Sequence, residues 1–596
     1  MVATAARSAE RRGVPSERFV LVLIKPSHYD ADGYVIQWLK GTIPSNTLAQ
    51  LYGLAQDCAE RRVLGDDTAI EIDAYDETNQ RIKTGKIIRE LSKPGVSGLV
   101  GLVGVQSNQF PRAMDLARKF RAAEIPVCIG GFHVSGCLAM LPDIQPDLAE
   151  ALDLGISLFA GEAEGRLDDV LRDARDGCLK PIYNYMDDLP GLDGEPVPFL
   201  PRRLIERSLG VQTSFDAGRG CPFQCSFCTI INVQGRKSRR RSADDVERIV
   251  RANLDQGVGH FFITDDNFAR NKDWEPILDR LISLRKGEGH GIRFTIQVDT
   301  LCHRIPGFVE KAARAGVAKV FIGLENINPD ALAGASKRQN RISEYREMLQ
   351  AWHDAGVMTF AGYIIGFPND TRASILRDIQ IIQRELPIDI LEFFILTPLP
   401  GSADHRKLYD QGVWMEPDMN KYDLNYVTTA HPKMSDEELK GTYDEVWRAY
   451  YTPEHVETLM RRAHVKKMSL GRVAKMALWF SGCSAFEKVH PLEGGYFRLK
   501  FRRDRRPGLG IESPFVFYPR YGWEILRKHI QFLGLVLKYR RMRRRIEADP
   551  GADQYMDLAL APVCEQETEE LEMFASEQAQ MAVAKARAIR PAVSQI

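Results

Sequence analysis

Three cysteines carry the clearest chemistry in this chain. They lie in Gly218-Arg219-Gly220-Cys221-Pro222-Phe223-Gln224-Cys225-Ser226-Phe227-Cys228, spaced C-x3-C-x2-C. Thiolates this close in sequence converge on one metal centre, and soft sulfur selects zinc or an iron–sulfur cluster. A structural zinc site takes four protein ligands. Here no further cysteine or histidine follows before His260. Three thiolates on a four-iron cluster leave one iron open, and an open iron binds a substrate-like ligand.

The elements that must position this loop are strands alternating with helices. Upstream, apolar runs over 19–24, 69–75, 98–105 and 126–131 read as strands, and 156–164 as a short strand closing in an acidic turn. Helices are predicted over 45–62, capped by Ser45 or Asn46, and over 83–91 and 110–123. The pattern predicts an α/β class: a doubly wound, Rossmann-like domain over 18–188, whose ligands bind beyond the carboxyl ends of its strands. Ser107-Asn108-Gln109, Gly130-Gly131-Phe132-His133 and Gly161-Glu162-Ala163-Glu164 fall at those ends. Glycine there lets a large flat ligand approach the backbone. A proline-rich linker (189–208) follows. Strands over 211–215, 260–264, 293–298, 318–323, 358–365 and 388–395 then predict a partial (β/α)6 barrel over 209–430, lacking two strands of a full barrel. Its strand ends carry Asp265, Asp266, Gln297, Glu325 and Gly366. Ser242-x-x-Asp245 reads as a capping box, and the basic run 236–241 as a solvated face or as phosphate and cofactor-tail contacts. No His–Asp arrangement is evident near the strand ends.

Taken together, these motifs resemble the cobalamin-dependent radical S-adenosylmethionine (SAM) enzymes, related to the hopanoid methylases and the anaerobic magnesium-protoporphyrin IX monomethyl ester cyclase. The resemblance covers about residues 18–430. It rests on the three-cysteine loop with the aromatic Phe227 before its third cysteine, and on the Gly-Gly-x-His and Gly-Glu-x-Glu stretches upstream. It implies that Cys221, Cys225 and Cys228 hold a [4Fe-4S] cluster whose open iron chelates SAM, with Phe227 beside it. Asp265 and Asp266 then hold the SAM amino group, Gln297 and Glu325 serve its ribose or carboxylate, and Gly366 lets the adenine approach. Cobalamin is implied over Ser107, Gly130, Gly131, His133, Gly161 and Glu162. The axial-histidine pattern D-x-H-x-x-G is missing, because Lys25-Pro26-Ser27-His28-Tyr29-Asp30-Ala31 does not match it. No protein histidine is therefore expected on cobalt. The implied reaction makes a 5′-deoxyadenosyl radical and methylates an unactivated carbon, with methylcobalamin as donor. An oxidative cyclisation with the same cofactors is the alternative within the family; a non-catalytic iron–sulfur protein is the alternative outside it. No side chain is needed as a general base. An electron donor such as flavodoxin or ferredoxin is implied.

Composition narrows the class. Lys+Arg and Asp+Glu balance at 80 each, so bulk charge argues against a nucleic-acid partner. No apolar run reaches the about 18 residues of a membrane span. The polar stretch 1–17 lacks the apolar segment of a secretory signal and is expected to be a disordered leader. Of ten cysteines, seven are scattered, which is no disulfide framework. A reducing cytoplasm suits such a chain. Residues 402–470 are aromatic and helical in pattern, and are expected to cover the barrel's open side and help form the substrate pocket. Residues 431–563 read as a helical, basic region. Within it, 521–547 forms a basic amphipathic helix that could lie on the inner face of an anionic membrane or dock on the protein body. These features motivate a small-molecule substrate of lipid or isoprenoid character. The tail 564–596 is expected to be mobile.

Overall fold

Alternate residues of one central strand feed two separate cores. In a computed structural model describing residues 17–337, 339–562 and 571–589, this strand is β1 (Glu17–Lys25). Val20, Val22 and Ile24 join one core, and Phe19, Leu21 and Leu23 the other. That is the signature of a sheet covered on both faces. After β2 (Gln37–Gly41), the strands β3 (Thr68–Asp76), β4 (Val96–Leu102), β5 (Val127–Gly130), β6 (Ser157–Ala160) and β7 (Ile182–Asn184) follow. The sheet order is β3-β1-β4-β5-β6-β7, all parallel. Helix Asn46–Glu60 is capped by Ser45, whose hydroxyl accepts from the Leu48 amide at 3.2 Å. The leader expected over 1–17 lies outside the described residues, except Glu17, which opens β1. The short strand β7 escaped the sequence reading because three residues carry no readable alternation.

The second sheet holds the thiol loop. Its strands are β8 (Gln212–Phe215), β11 (His260–Ile263), β12 (Arg293–Val298), β13 (Val317–Glu325), β14 (Met358–Ile365) and β15 (Ile390–Ile395). Between β8 and β11, β9 (Gly218–Arg219) pairs antiparallel with β10 (Arg239–Arg240). The order β15-β14-β13-β12-β11-β8 is parallel throughout, and β8 and β15 are free edges, as in an open barrel. The capping box Ser242/Asp245 forms as expected, on helix Ala243–Asp255.

Glu392, in the middle of β15, is 1% exposed, and its Oε2 has no hydrogen-bond partner. Burial pushes its carboxyl from the ordinary 4.5 up to about 8. A raised folded-state pKa means stability that is complete below the ordinary value and lost as pH rises through the folded one. Wild type should therefore lose stability against Glu392→Gln across this window, by up to about 1.4 kcal/mol per pH unit. Denaturation midpoints from pH 4 to 9 test this, and a constant gap between the two proteins would count against a buried neutral carboxyl.

Helices Asp436–Tyr450 and Leu470–Gly482 pack beside β15. The Tyr450 and Tyr451 hydroxyls donate to the Ile388 and Leu391 carbonyls at 3.0 and 2.9 Å, and Trp447 meets Phe393 edge-on at 5.1 Å. The C-terminal region is mainly helical, as expected, with one strand added: β16 (Gly495–Leu499) pairs antiparallel with β2 and ties the region back to the N-terminal domain. One expectation needs correction, because the tail is not wholly loose. Residues 563–570 and 590–596 lie outside the described part, but Leu571, Met573 and Phe574 are buried. The Glu572 amide donates to Glu385 at 3.0 Å, and its carboxylate pairs with Arg377 and Arg384. Polar composition missed this because a few apolar residues suffice to anchor a segment.

Candidate functional site

The loop between β8 and β10 is held from beneath by two carboxylates. Asp265 Oδ1 accepts from the amides of Ala217 at 2.6 Å and Gly218 at 2.8 Å, while its Oδ2 accepts from Asn271 Nδ2 at 3.0 Å. Asp266 Oδ2 accepts from the Gly220 amide at 3.0 Å. Gly220 has φ +90°, and a Cβ there would stand 2.5 Å from the Lys237 carbonyl oxygen, so glycine is required. The sequence reading assigned both aspartates to an amino group of SAM. In the fold their side chains are committed to shaping the loop, and Gln297 donates to the Asp265 carbonyl at 3.3 Å. Burial pushes both carboxyls up to about 7, against the pull of the amides. Asp265→Ala should orphan two buried amides at about 1–3 kcal/mol each. Iron uptake on reconstitution should then fall, while Asp265→Asn, whose amide oxygen still accepts, retains it. Equal iron content in both variants would remove Asp265 from the loop's support.

The three thiols are free. Cys225 is buried and Cys221 and Cys228 half-buried. Burial pushes Cys221 up to about 11 and Cys228 up to about 12, so metal binding must displace their protons. Three free thiols in one loop, with no fourth cysteine or histidine beside them in sequence, fit a four-iron cluster with one open iron better than a closed zinc site. Phe227 packs against Ala331, Ala335, Ile364 and Phe367, at the ends of the barrel strands.

Two residues that the sequence reading passed over reach this loop. Gln339 Nε2 donates to Cys225 Sγ at 3.4 Å. The Lys337 ammonium is buried, 5.6 Å from the centre of the Phe227 ring, and ion-paired with Glu325. Glu325, expected to serve SAM, is thus held by Lys337. The segment is tied down by the Ser226 amide, which donates to the Ala335 carbonyl at 3.0 Å. The only sequence signal is the polar run 336–341, beyond helix Pro329–Gly334, which fits no motif. Gly366, expected to admit the adenine, has φ +91°, and its amide and that of Phe367 donate to Asp370 Oδ2 at 2.9 Å each.

A buried ion cluster joins this loop to the N-terminal domain. Arg219 donates to Glu162 Oε2 and Glu164 Oε1 at 2.6 Å each, and to Asp216 Oδ2 at 2.8 Å. Arg239 pairs with Glu162 as well. The second half of the basic run is therefore not a solvated face, whereas Arg236 and Lys237 remain exposed. Arg240 pairs with Asp273 at 2.5 Å, and Arg241 is fully buried on the Asp216 carbonyl. Opposite charges from distant segments had absorbed it.

Above the cluster lies an open cavity. Gly130, Gly131, Gly161 and Glu162 line it from the N-terminal sheet, and Arg219 and Gln234 from the loop side. Asn46 Oδ1 and Gln50 Oε1 are buried acceptors without partners, on residues that line it. A corrinoid, rimmed with amide N–H donors, suits this lining. Ser107 and His133 are not part of it. His133 sits in helix Phe132–Met140 rather than in a loop, and is 1% exposed. Its Nδ1 is 3.1 Å from Ser107 Oγ and its Nε2 is 2.8 Å from Asp147 Oδ2. Burial, the largest influence on the Asp147 carboxyl, pushes it up, but the bond to His133, the His133 charge and the Asp147 and Leu148 amides together hold it below its usual range. A His–Asp pair does therefore stand near the strand ends, but it is buried and braces a helix.

Residues 217–382 match the family described as "Radical SAM superfamily". Over 54% of this chain and 68% of the relative, the sequence is 27% identical to bacteriochlorophyllide d C-12(1)-methyltransferase of Chlorobaculum tepidum. It is 23% identical to hopanoid C-2 methylase of Rhodopseudomonas palustris, over 59% of this chain and 68% of the relative. The fold is shared with the radical SAM methyltransferase TsrM from Kitasatospora setae, solved with cobalamin and a [4Fe-4S] cluster. That match has TM-score 0.50 and 16% identity, covering 67% of this chain and 80% of the other.

Proposed function

From a chain that carries a radical SAM domain and has methyltransferases among its relatives, we propose a cobalamin-dependent radical SAM enzyme that methylates an unactivated carbon of an apolar small molecule. One observation carries the reading: the glycine-rimmed cavity and the three-thiol loop share a wall, with Arg219 and Gln234 on the cavity side. Cys221, Cys225 and Cys228 would hold the cluster, and Gly130, Gly131 and Gly161 the corrinoid. When bound, these groups and SAM supply an electron, hydrogen abstraction and a methyl group. The protein's own part is positioning. Asp265 and Asp266 fix the loop, Lys337 places a cation near the thiolates, and the Arg219 cluster sets the distance between the two sheets. The test is anaerobic reconstitution with iron and cobalamin, then SAM bearing a deuterated methyl group, dithionite and candidate substrates. Product carrying that methyl supports the reading; 5′-deoxyadenosine with an unmethylated, oxidised product would replace it with a cyclase.

An apolar substrate is supported by helix Pro514–Glu547. Its C-terminal half packs inward through Tyr539, Met542 and Ile546. Its outer face instead presents Trp523, Leu526, Ile530, Leu533 and Leu537, spaced three and four apart and 43–64% exposed. Arg527 and Lys538 sit among them, as on helices that lie in an anionic lipid surface. Among the described residues no helix is long and apolar enough to cross a membrane. Trp523 and Arg527 also line a large open cavity with Tyr426, Tyr443 and Trp447, a route for a lipid-like molecule. The double variant Trp523→Glu/Leu526→Glu should bind phosphatidylglycerol vesicles at least tenfold more weakly than wild type. Equal flotation of the two proteins would end the membrane proposal.

A further inference from the structure

A second constellation stands where three distant segments meet. His28 follows β1, Asp423 follows the barrel, and Glu493 precedes β16. His28 Nε2 lies 3.5 Å from Glu493 Oε2 and 3.9 Å from Asp423 Oδ2. Three ligand atoms of these residues lie within 4.8 Å of one another. Bonds of about 2.1 Å from nitrogen and oxygen to a divalent ion put neighbouring ligand atoms about 3–4 Å apart. His28 is 3% exposed, and neither its Nε2 nor Glu493 Oε2 has a hydrogen-bond partner.

The other oxygens are already used, in the way that outer contacts orient metal ligands. Glu493 Oε1 accepts from Asn108 Nδ2 at 3.1 Å, and Asp423 Oδ1 from the Asn425 amide at 2.9 Å. The cations nearby are committed elsewhere: Lys25 pairs with Asp76 at 3.7 Å and Arg498 with Asp30 at 2.9 Å. Two largely buried carboxylates thus converge on one imidazole nitrogen without a cation of their own, an arrangement that is costly unless a positive charge joins it.

We propose that His28, Asp423 and Glu493 form a divalent-cation site. One imidazole and two carboxylates suit zinc, manganese or ferrous iron. Three protein ligands leave a fourth position open to water or to a substrate oxygen. Asp423 also lines the large cavity beside Tyr426 and Tyr443. Because its ligands come from the N-terminal domain, the end of the barrel and the C-terminal region, the ion also cross-links all three. This site is separate from the thiol loop and does not depend on the methyl-transfer reading.

The full chain, with its cluster reconstituted and desalted over a chelating resin, is equilibrated with Mn2+ or Zn2+, each alone. Bound metal other than iron is then counted, and thermal midpoints are recorded. The expected result is one equivalent of at least one of the two ions, with a rise in midpoint. In Glu493→Gln, which keeps the side-chain shape, affinity should fall at least tenfold and the rise should vanish. His28→Ala should behave alike, with wild-type iron content in both variants as the check on folding. No bound ion in wild type, or equal binding by wild type and Glu493→Gln, overturns the site.

Discussion

Cys225→Ala should reduce bound iron from about four per chain to less than one, and 5′-deoxyadenosine formation to background. The reason is local. Cys225 is the most buried of the three thiols, at 8% exposure, and it receives the Gln339 side chain. Losing it leaves Cys221 and Cys228, both pushed up by burial and therefore protonated at neutral pH without a metal. Two such thiols cannot retain a four-iron cluster that needs three protein ligands. The control is Cys178→Ala: that thiol is exposed and lies in the other domain. Iron content and nucleoside yield should be unchanged there. If Cys225→Ala kept its iron, the cluster would have to sit elsewhere, and the radical SAM chemistry would need a different home.

The second large effect concerns stability. Arg219→Met should lower folding stability by about 3–5 kcal/mol at pH 7.5, the usual cost of stripping one partner from a buried ion pair. Arg219 is 8% exposed and faces Glu162, Glu164 and Asp216, all three nearly or wholly buried. Asp216 is held below the usual carboxylate range because Arg219 and Arg241 together outweigh its burial. A depressed pKa contributes stability above the unfolded value and loses it as pH falls through the folded one. Without Arg219, the largest influence holding the Asp216 carboxyl down is gone, and with it much of that contribution. The gap between variant and wild type should therefore narrow toward acid pH. Arg219→Lys should rescue only part of it, since one ammonium cannot reproduce the fork that reaches three carboxylates. Urea titrations at pH 5 and 7.5 read both effects. A gap below about 1 kcal/mol at both pH values, the size expected of a surface pair, would mean that the cluster does not clamp the two sheets together.

Much of this organisation was readable before any coordinates. The six barrel strands were legible because buried parallel strands are continuous apolar runs of branched residues; β12 and β14 match the runs 293–298 and 358–365. The three-cysteine loop was legible because metal ligation demands particular side chains at short spacing. Roles that depend on where a side chain points were not. Asp265, Asp266 and Glu325 sit at the expected strand ends, but their carboxylates turn to the loop amides and to Lys337. Lys337 and Gln339 were missed for the converse reason: they reach Cys225 and its neighbours across more than a hundred positions of chain, which no local pattern encodes.

The sequence by itself determined the two α/β domains, most of their strands and the thiol loop that follows β8. All of these follow from the periodicity of burial and from local ligand spacing, which act over a few residues. Tertiary structure alone decided which charges meet. It seated the basic run against Glu162 and Asp273, paired His133 with Asp147, folded β16 back onto β2, and gathered His28, Asp423 and Glu493. A charge in a low-dielectric interior must find a partner wherever the fold brings one near, and sequence distance carries no information about that.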